Sequence, residues 1–170
     1  PHRVEPTEDG GAPVVSLADG TTLADPSAAE LTRALGFPTE LDRPRFVELF
    51  RDEAFMAFSG GPMAADRAQA RFDRMLARCD ELSFAKQAIV ERCSGVVVGY
   101  TGVDWIEFDG RRWLEWGYRL VPAARGKGYA TEASLALLEV ARSDRAGEIL
   151  GIVHPDNQAS ENVIRKLGFA

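Results

Sequence analysis

Between positions 119 and 132 the chain reads Arg119-Leu120-Val121-Pro122-Ala123-Ala124-Arg125-Gly126-Lys127-Gly128-Tyr129-Ala130-Thr131-Glu132, and no other segment restricts the fold as strongly. A β-rich run enters it and Pro122 ends that run. After the two glycines a helical pattern begins, with Ala130, Ala133, Ser134, Leu137, Leu138 and Ala141 on one face. A strand that passes through glycines into a helix leaves several backbone N–H groups without intrahelical acceptors, aimed at one volume. Such a volume binds an anion. Arg125 and Lys127 set two cations beside it, and the glycines keep Cβ atoms away from an approaching phosphate.

Two familiar phosphate loops fit poorly. A Walker A loop follows its Gly-Lys with Ser or Thr to hold magnesium, whereas Gly128 follows Lys127 here. A dinucleotide fingerprint needs a third glycine where this chain has Thr131, and a parallel strand feeding the turn. The strand that feeds this turn belongs to an antiparallel pattern. Residues 86–91, 96–106 and 113–121 are rich in β-branched and aromatic side chains, and Asp109-Gly110 between the last two is a hairpin signal. Upstream, Phe46, Leu49 and Phe50 recur at helical spacing after Asp42 and Pro44, and Ala68, Phe72, Met75, Leu76 and Cys79 share a helical face. Downstream come a short apolar strand at 148–153, the loop His154-Pro155-Asp156-Asn157, and a helix over 159–167 closed by Gly168. Helices, then a meander, then strand-helix-strand-helix describe a mixed α/β domain.

Length and charge narrow the function. A chain of 170 residues suits one main domain. With 26 acidic against 20 basic side chains, its surface repels polyanions, so neither nucleic acid nor a membrane is an expected partner. Only Cys79 and Cys93 occur, in no metal-ligand spacing, so no metal is expected and a reducing, cytoplasmic setting fits. No apolar run approaches the ~20 residues that span a bilayer. Residues 1–41 read as a flexible or accessory segment, with a strand at 14–17 and a short helix at 27–35, and residues 42–170 as the functional domain.

Two blocks together resemble one family. The run Gly126-Lys127-Gly128-Tyr129-Ala130-Thr131-Glu132-Ala133 is similar to motif A of the GNAT N-acetyltransferases, in particular their RimJ/RimL-like branch. The block from His154 through Asn157, Ser160 and Asn162 to Leu167-Gly168-Phe169 resembles that branch's motif B. The resemblance covers residues 84–170 and implies a central, mainly antiparallel twisted sheet flanked by helices. That fold adds a strand after Leu-Gly-Phe, whereas this sequence gives only Ala170 there: either the sequence is cut short, or another segment supplies the strand, or the sheet lacks its last strand and its edge is open to a homodimer.

The resemblance also implies acetyl-CoA as acyl donor and a primary amine as acceptor: a protein N-terminus, toward which the branch tilts, a lysine or a small molecule. Backbone groups of Leu120 and Val121 would pair with the pantetheine arm. The amides of Arg125, Gly126, Lys127, Gly128, Tyr129 and Ala130 would hold the pyrophosphate. Asn157 would meet the pantetheine and Ser160 would lie near the sulfur. The family opens its loop with Gln or Arg three residues before the first glycine, where this chain has Ala123.

Direct attack in a ternary complex requires a base, because an amine is protonated near neutral pH. Glu115 is the candidate, on the strand that feeds the loop and flanked by Trp113 and Trp116, whose burial would desolvate it; pairing with Arg111 or Arg112 is the plain structural alternative. Ser160, and less favourably Tyr129, would protonate the departing thiolate. The N–H near Leu120 would meet the developing oxyanion. A non-catalytic acyl-CoA-binding sensor is the alternative function. Glu132 reads as a helix-dipole residue, and His154 as a loop residue rather than a base.

Overall fold

A computed structural model of the chain describes residues 38–169 and, ahead of them, the backbone of three short strands. These are β1 (Arg3–Glu5), β2 (Val14–Ser16) and β3 (Thr22–Ala24), which form an antiparallel sheet in that order. The stretch read as an arm therefore contributes β1, whose Val4 lies opposite Val15. The helix expected at 27–35 lies outside the described residues.

The main sheet has strands β4 (Gln87–Glu91), β5 (Val96–Phe108), β6 (Arg111–Leu120) and β7 (Ile149–Gly151), in chain order across the sheet. Asp109 and Gly110 form the two-residue turn between β5 and β6, at φ 51° and 70°, and Phe108 faces Arg111 across it. Positive φ at both central residues matches a turn twist to the twist of the strands, which is why Asp-Gly suits this place. β7 runs parallel to β6 and pairs only with Leu114, Glu115 and Trp116. The strand expected over 148–153 is thus three residues long, and β6 continues for four residues beyond it.

Side chains alternate along β6 and send two different surfaces to two sets of helices. Leu114, Trp116, Tyr118 and Leu120 face α4 (Tyr129–Ser143) and α5 (Gln158–Lys166), packing with Leu137, Leu138, Ala130 and Val163. One buried polar pair interrupts this apolar layer: the hydroxyls of Thr101 and Ser134 lie 2.7 Å apart and tie β5 to α4. The opposite face meets α1 (Arg43–Arg51), α2 (Glu53–Met56) and α3 (Ala65–Glu81). Phe46, Phe50, Phe55 and Phe72 cluster there around Tyr100, and the Phe46 and Phe72 rings stack at 5.2 Å. Each such burial stabilises the fold by about 1.5–3 kcal/mol.

Two glycines allow close backbone crossings in this sheet. A Cβ on Gly99 would meet the Arg119 carbonyl oxygen at 2.0 Å, and one on Gly102, at φ 136°, would meet the Ala85 oxygen at 2.4 Å. Both sit where β5 supports the free end of β6 or receives the segment before β4.

Candidate active site

The turn between β6 and α4 has the open geometry that an anion requires. Gly126 and Gly128 adopt φ 75° and 88°, in the left-handed region, and nothing lies within 4 Å of where their Cβ atoms would be. The first bond of α4 runs from the Glu132 N–H to the Gly128 oxygen at 3.0 Å. The N–H groups of Tyr129, Ala130 and Thr131 therefore have no acceptor in the helix, and those of Gly126, Lys127 and Gly128 find no backbone acceptor among the described residues. Six consecutive amides border one open volume at the positive end of a four-turn helix. Those donors and that clearance fit a pyrophosphate.

Arg125 has a different part from the one its position suggested. Its amide donates to the Pro122 oxygen at 3.1 Å, and its guanidinium donates to the carbonyls of Leu120 and Ala54, at 3.1 and 2.7 Å. It clamps the turn to the end of β6 and to α2, so the free amides begin at Gly126. Lys127 is the exposed cation beside the turn, with Nζ 3.9 Å from Glu91 and 5.9 Å from the Tyr129 ring centre.

The second element is the bare edge of β6. Beyond Trp116 no strand pairs with its β7 side among the described residues. Val121 donates to the Val98 oxygen at 2.9 Å and accepts from Ala124 at 3.0 Å, so both its backbone groups are engaged. By strand alternation the Leu120 N–H points away from β5, into the gap that β7 leaves. Its carbonyl, on the same side, is the one that Arg125 holds. Of the two residues expected to offer backbone groups there, only Leu120 has an N–H directed into the gap.

Ser160, near the start of α5, approaches the part of β6 that β7 leaves unpaired, through Tyr118. Asn157 caps the helix, its Oδ1 accepting from the Ser160 N–H at 3.1 Å. The Ser160 hydroxyl lies beside the phenol of Tyr118, which burial pushes up and which Ser160 partly draws back. Tyr118 was missed in the sequence, although its position two residues before Leu120 puts it on the Leu120 face of β6. Tyr129, the other hydroxyl considered, donates to Glu91 on β4 at 3.0 Å, and that bond pushes its own phenol up. It reaches toward the sheet edge opposite the gap.

Glu115 occupies the other face of β6. It is half-buried, opposite Asp104 on β5, with Gly117 and then Arg119 next along that face. No hydrogen bond or ion pair holds its carboxylate among the described residues. The arginines that were its alternative partners stack elsewhere, Arg111 on Trp113 at 4.5 Å and Arg112 on Trp105 at 4.3 Å. Of the expected aromatic flanks, Trp116 is buried on the opposite face against α4 and does not shield Glu115. Arg119 lies on the Glu115 side over Phe55 and Tyr100, and its side chain hydrogen-bonds Ser59. Burial lowers its guanidinium, while Tyr100 and Glu115 favour its charge. His154 is exposed, accepts from the Asp156 N–H at 3.2 Å and packs on Phe58, as a loop residue would.

An open strand edge joined to a glycine turn at a helix start offers backbone donors to an extended, anionic ligand. Comparison with known proteins agrees. The acetyltransferase (GNAT) domain model matches residues 34–170, and the chain belongs to that family. Among solved structures, a putative GNAT-family acetyltransferase from Bordetella pertussis is similar over 99% of this chain and 89% of its own, with 17% identity and a TM-score of 0.68. A putative acetyltransferase from Salmonella typhimurium, solved with its cofactor acetyl-CoA, is 26% identical over 78% of this chain and 76% of its own, TM-score 0.61. A ribosomal-protein-alanine N-acetyltransferase from Brucella melitensis is 24% identical over 78% and 81%, TM-score 0.62. The open four-stranded sheet is the fold of this family, which uses acetyl-CoA.

Proposed function

We propose that the protein is an N-acetyltransferase that passes the acetyl group of acetyl-CoA to a primary amine by direct attack in a ternary complex. One observation carries the reading: β6 presents the Leu120 N–H on its free edge while Glu115 lies on the face directed at α1 and α3. Acetyl-CoA supplies the activated acyl group. The amides from Gly126 to Thr131 hold its pyrophosphate, and the Leu120 N–H meets the negative charge that develops at the acyl oxygen. Glu115 takes the amine proton, directly or through water. Ser160, with Tyr118 behind it, returns a proton to the sulfur.

The glycine run and the Leu-Gly-Phe ending support placement in the RimJ/RimL-like branch. We assign catalysis to residues 42–170 and an accessory role to 1–41. Free Cys79 and Cys93 suit a cytoplasmic protein, and the β7 edge, which no strand covers among the described residues, suits a homodimer, which sedimentation would detect.

The test is CoA release with a panel of primary amines, comparing the wild type with Glu115→Gln and Ser160→Ala. Turnover that falls roughly 10²-fold in Glu115→Gln while acetyl-CoA still binds supports the reading. Tight acetyl-CoA binding with no turnover on any amine overturns it in favour of a sensor.

A further inference from the structure

The turn between β6 and α4 is held at both ends. At its start the Arg125 guanidinium reaches the carbonyls of Leu120 and Ala54. At its end the two side chains that flank Gly128 converge on Glu91, the last residue of β4. The Tyr129 hydroxyl donates to Glu91 Oε1 at 3.0 Å, and the Lys127 ammonium lies 3.9 Å from the same oxygen. Oε2 accepts from the Ser94 hydroxyl at 2.8 Å. Glu91 is itself fixed, since it pairs with Val96 on β5 and its carbonyl accepts from the Gly95 N–H at 2.8 Å, closing the turn between those strands. One carboxylate on a closed hairpin thus bridges the residues before and after a left-handed glycine.

The sequence of the turn creates the need for such a bridge. Gly126 and Gly128 have no Cβ, and nothing lies within 4 Å of where one would be, so no packing at these two residues selects φ 75° and 88° over the other conformations open to glycine. The apolar cluster of Ile89, Val98, Leu120, Ala124 and Ala130 seats the helix start but includes none of residues 125–128. The free amides of the turn meet at one volume only in the observed conformation. A ligand that must select that conformation from others binds more weakly in proportion to how rarely it is populated. Holding Lys127 and Tyr129 on either side of Gly128 restricts the turn before a ligand arrives.

A carboxylate beside a phosphate site would repel the ligand if it stood alone. Bonds from Ser94 and Tyr129, with Lys127 nearby, hold the Glu91 carboxyl below the ordinary carboxylate range, so at neutral pH it is charged and Lys127 opposes that charge. Its effect on an anion therefore comes through the shape of the turn.

Building on the reading of this turn as the pyrophosphate site, we propose that Glu91 is a positioning residue for acetyl-CoA, acting through Tyr129 and Lys127 rather than by touching the ligand. The experiment titrates acetyl-CoA into the full chain by calorimetry, with no amine present. Glu91→Ala should raise the Kd about fivefold. Glu91→Gln keeps an acceptor oxygen for the Tyr129 hydroxyl and loses only a long, exposed ion pair, so its Kd should stay within about twofold of the wild type. A Glu91→Ala Kd equal to or below the wild-type value overturns the proposal, and so does a Glu91→Gln Kd as high as that of Glu91→Ala. A wild type that binds no acetyl-CoA overturns the pyrophosphate reading and the role of Glu91 together, whereas binding without turnover on any amine removes the transferase reading alone.

The contact also has a spectroscopic signature that a general loss of stability would not imitate. Phenolate absorbance, wild type minus Tyr129→Phe, should place the Tyr129 midpoint above the ordinary tyrosine value, because Glu91 accepts its proton. The same difference taken in the Glu91→Ala background should give a lower midpoint. A midpoint that stays in place overturns the contact, and the proposal with it, whatever the Kd.

Discussion

The two faces of β6 solve different problems with alternate residues of one strand. Toward α4 and α5 it presents Leu114, Trp116, Tyr118 and Leu120, in a mainly apolar layer that includes the Thr101 to Ser134 hydrogen bond. Toward α1 and α3 it presents Glu115, Gly117 and Arg119, beside Lys86, Asp104 and Tyr100. The first face fixes where the strand ends and the helix starts, and so places the amides proposed to hold the acyl donor. The second keeps charge in half-buried surroundings, at a cost to stability. The proposed donor side is apolar and packed, and the proposed acceptor side carries the charged groups.

Substitutions that disturb packing in the sheet or its core should have the largest effects. Gly99→Val puts a side chain onto the Arg119 oxygen and the Leu120 side chain, so acetyl-CoA binding and thermal stability should fall together, by several kcal/mol in stability. Chemical denaturation read beside a binding titration would check this. Phe72→Ala, in the aromatic cluster under α1, should cost about 3–5 kcal/mol of unfolding free energy without changing acetyl-CoA affinity in the folded fraction.

Changes confined to the turn should act on binding with little cost in stability. Gly128→Val places a branched residue at φ 88° and fills the space over the free amides, so the acetyl-CoA Kd measured by calorimetry should rise about tenfold or more. Arg125→Ala frees the Leu120 carbonyl and the α2 tether, and a smaller rise of a fewfold in Kd is expected from the loosened turn. The smallest effect concerns neither face. Burial pushes the Cys79 thiol up to about 12, so a thiol reagent at pH 8 should label exposed Cys93 alone until the protein unfolds.

What was legible in the sequence follows the same division. Period-2 runs and Asp109-Gly110 defined the meander, and the helical spacing of Ala68, Phe72 and Met75 defined α3, because burial on one face leaves a periodic record. The glycine turn was legible because positive φ selects residue type. The Arg125 clamp was not, since a cation beside a phosphate loop and a cation bonded to two carbonyls have the same local sequence. Tyr118 was also missed: its approach to Ser160 joins β6 to α5 across some forty residues, and no local pattern records it. The shielding expected of Trp116 failed for a simple reason, because strand neighbours point to opposite faces.

The division of β6 into a donor face and an acceptor face is tested most directly by measuring acetyl-CoA affinity and amine-dependent CoA release on the same Glu115→Gln protein. The account predicts an unchanged Kd with kcat lowered by roughly 10²-fold. Turnover equal to the wild type at that unchanged Kd would contradict it.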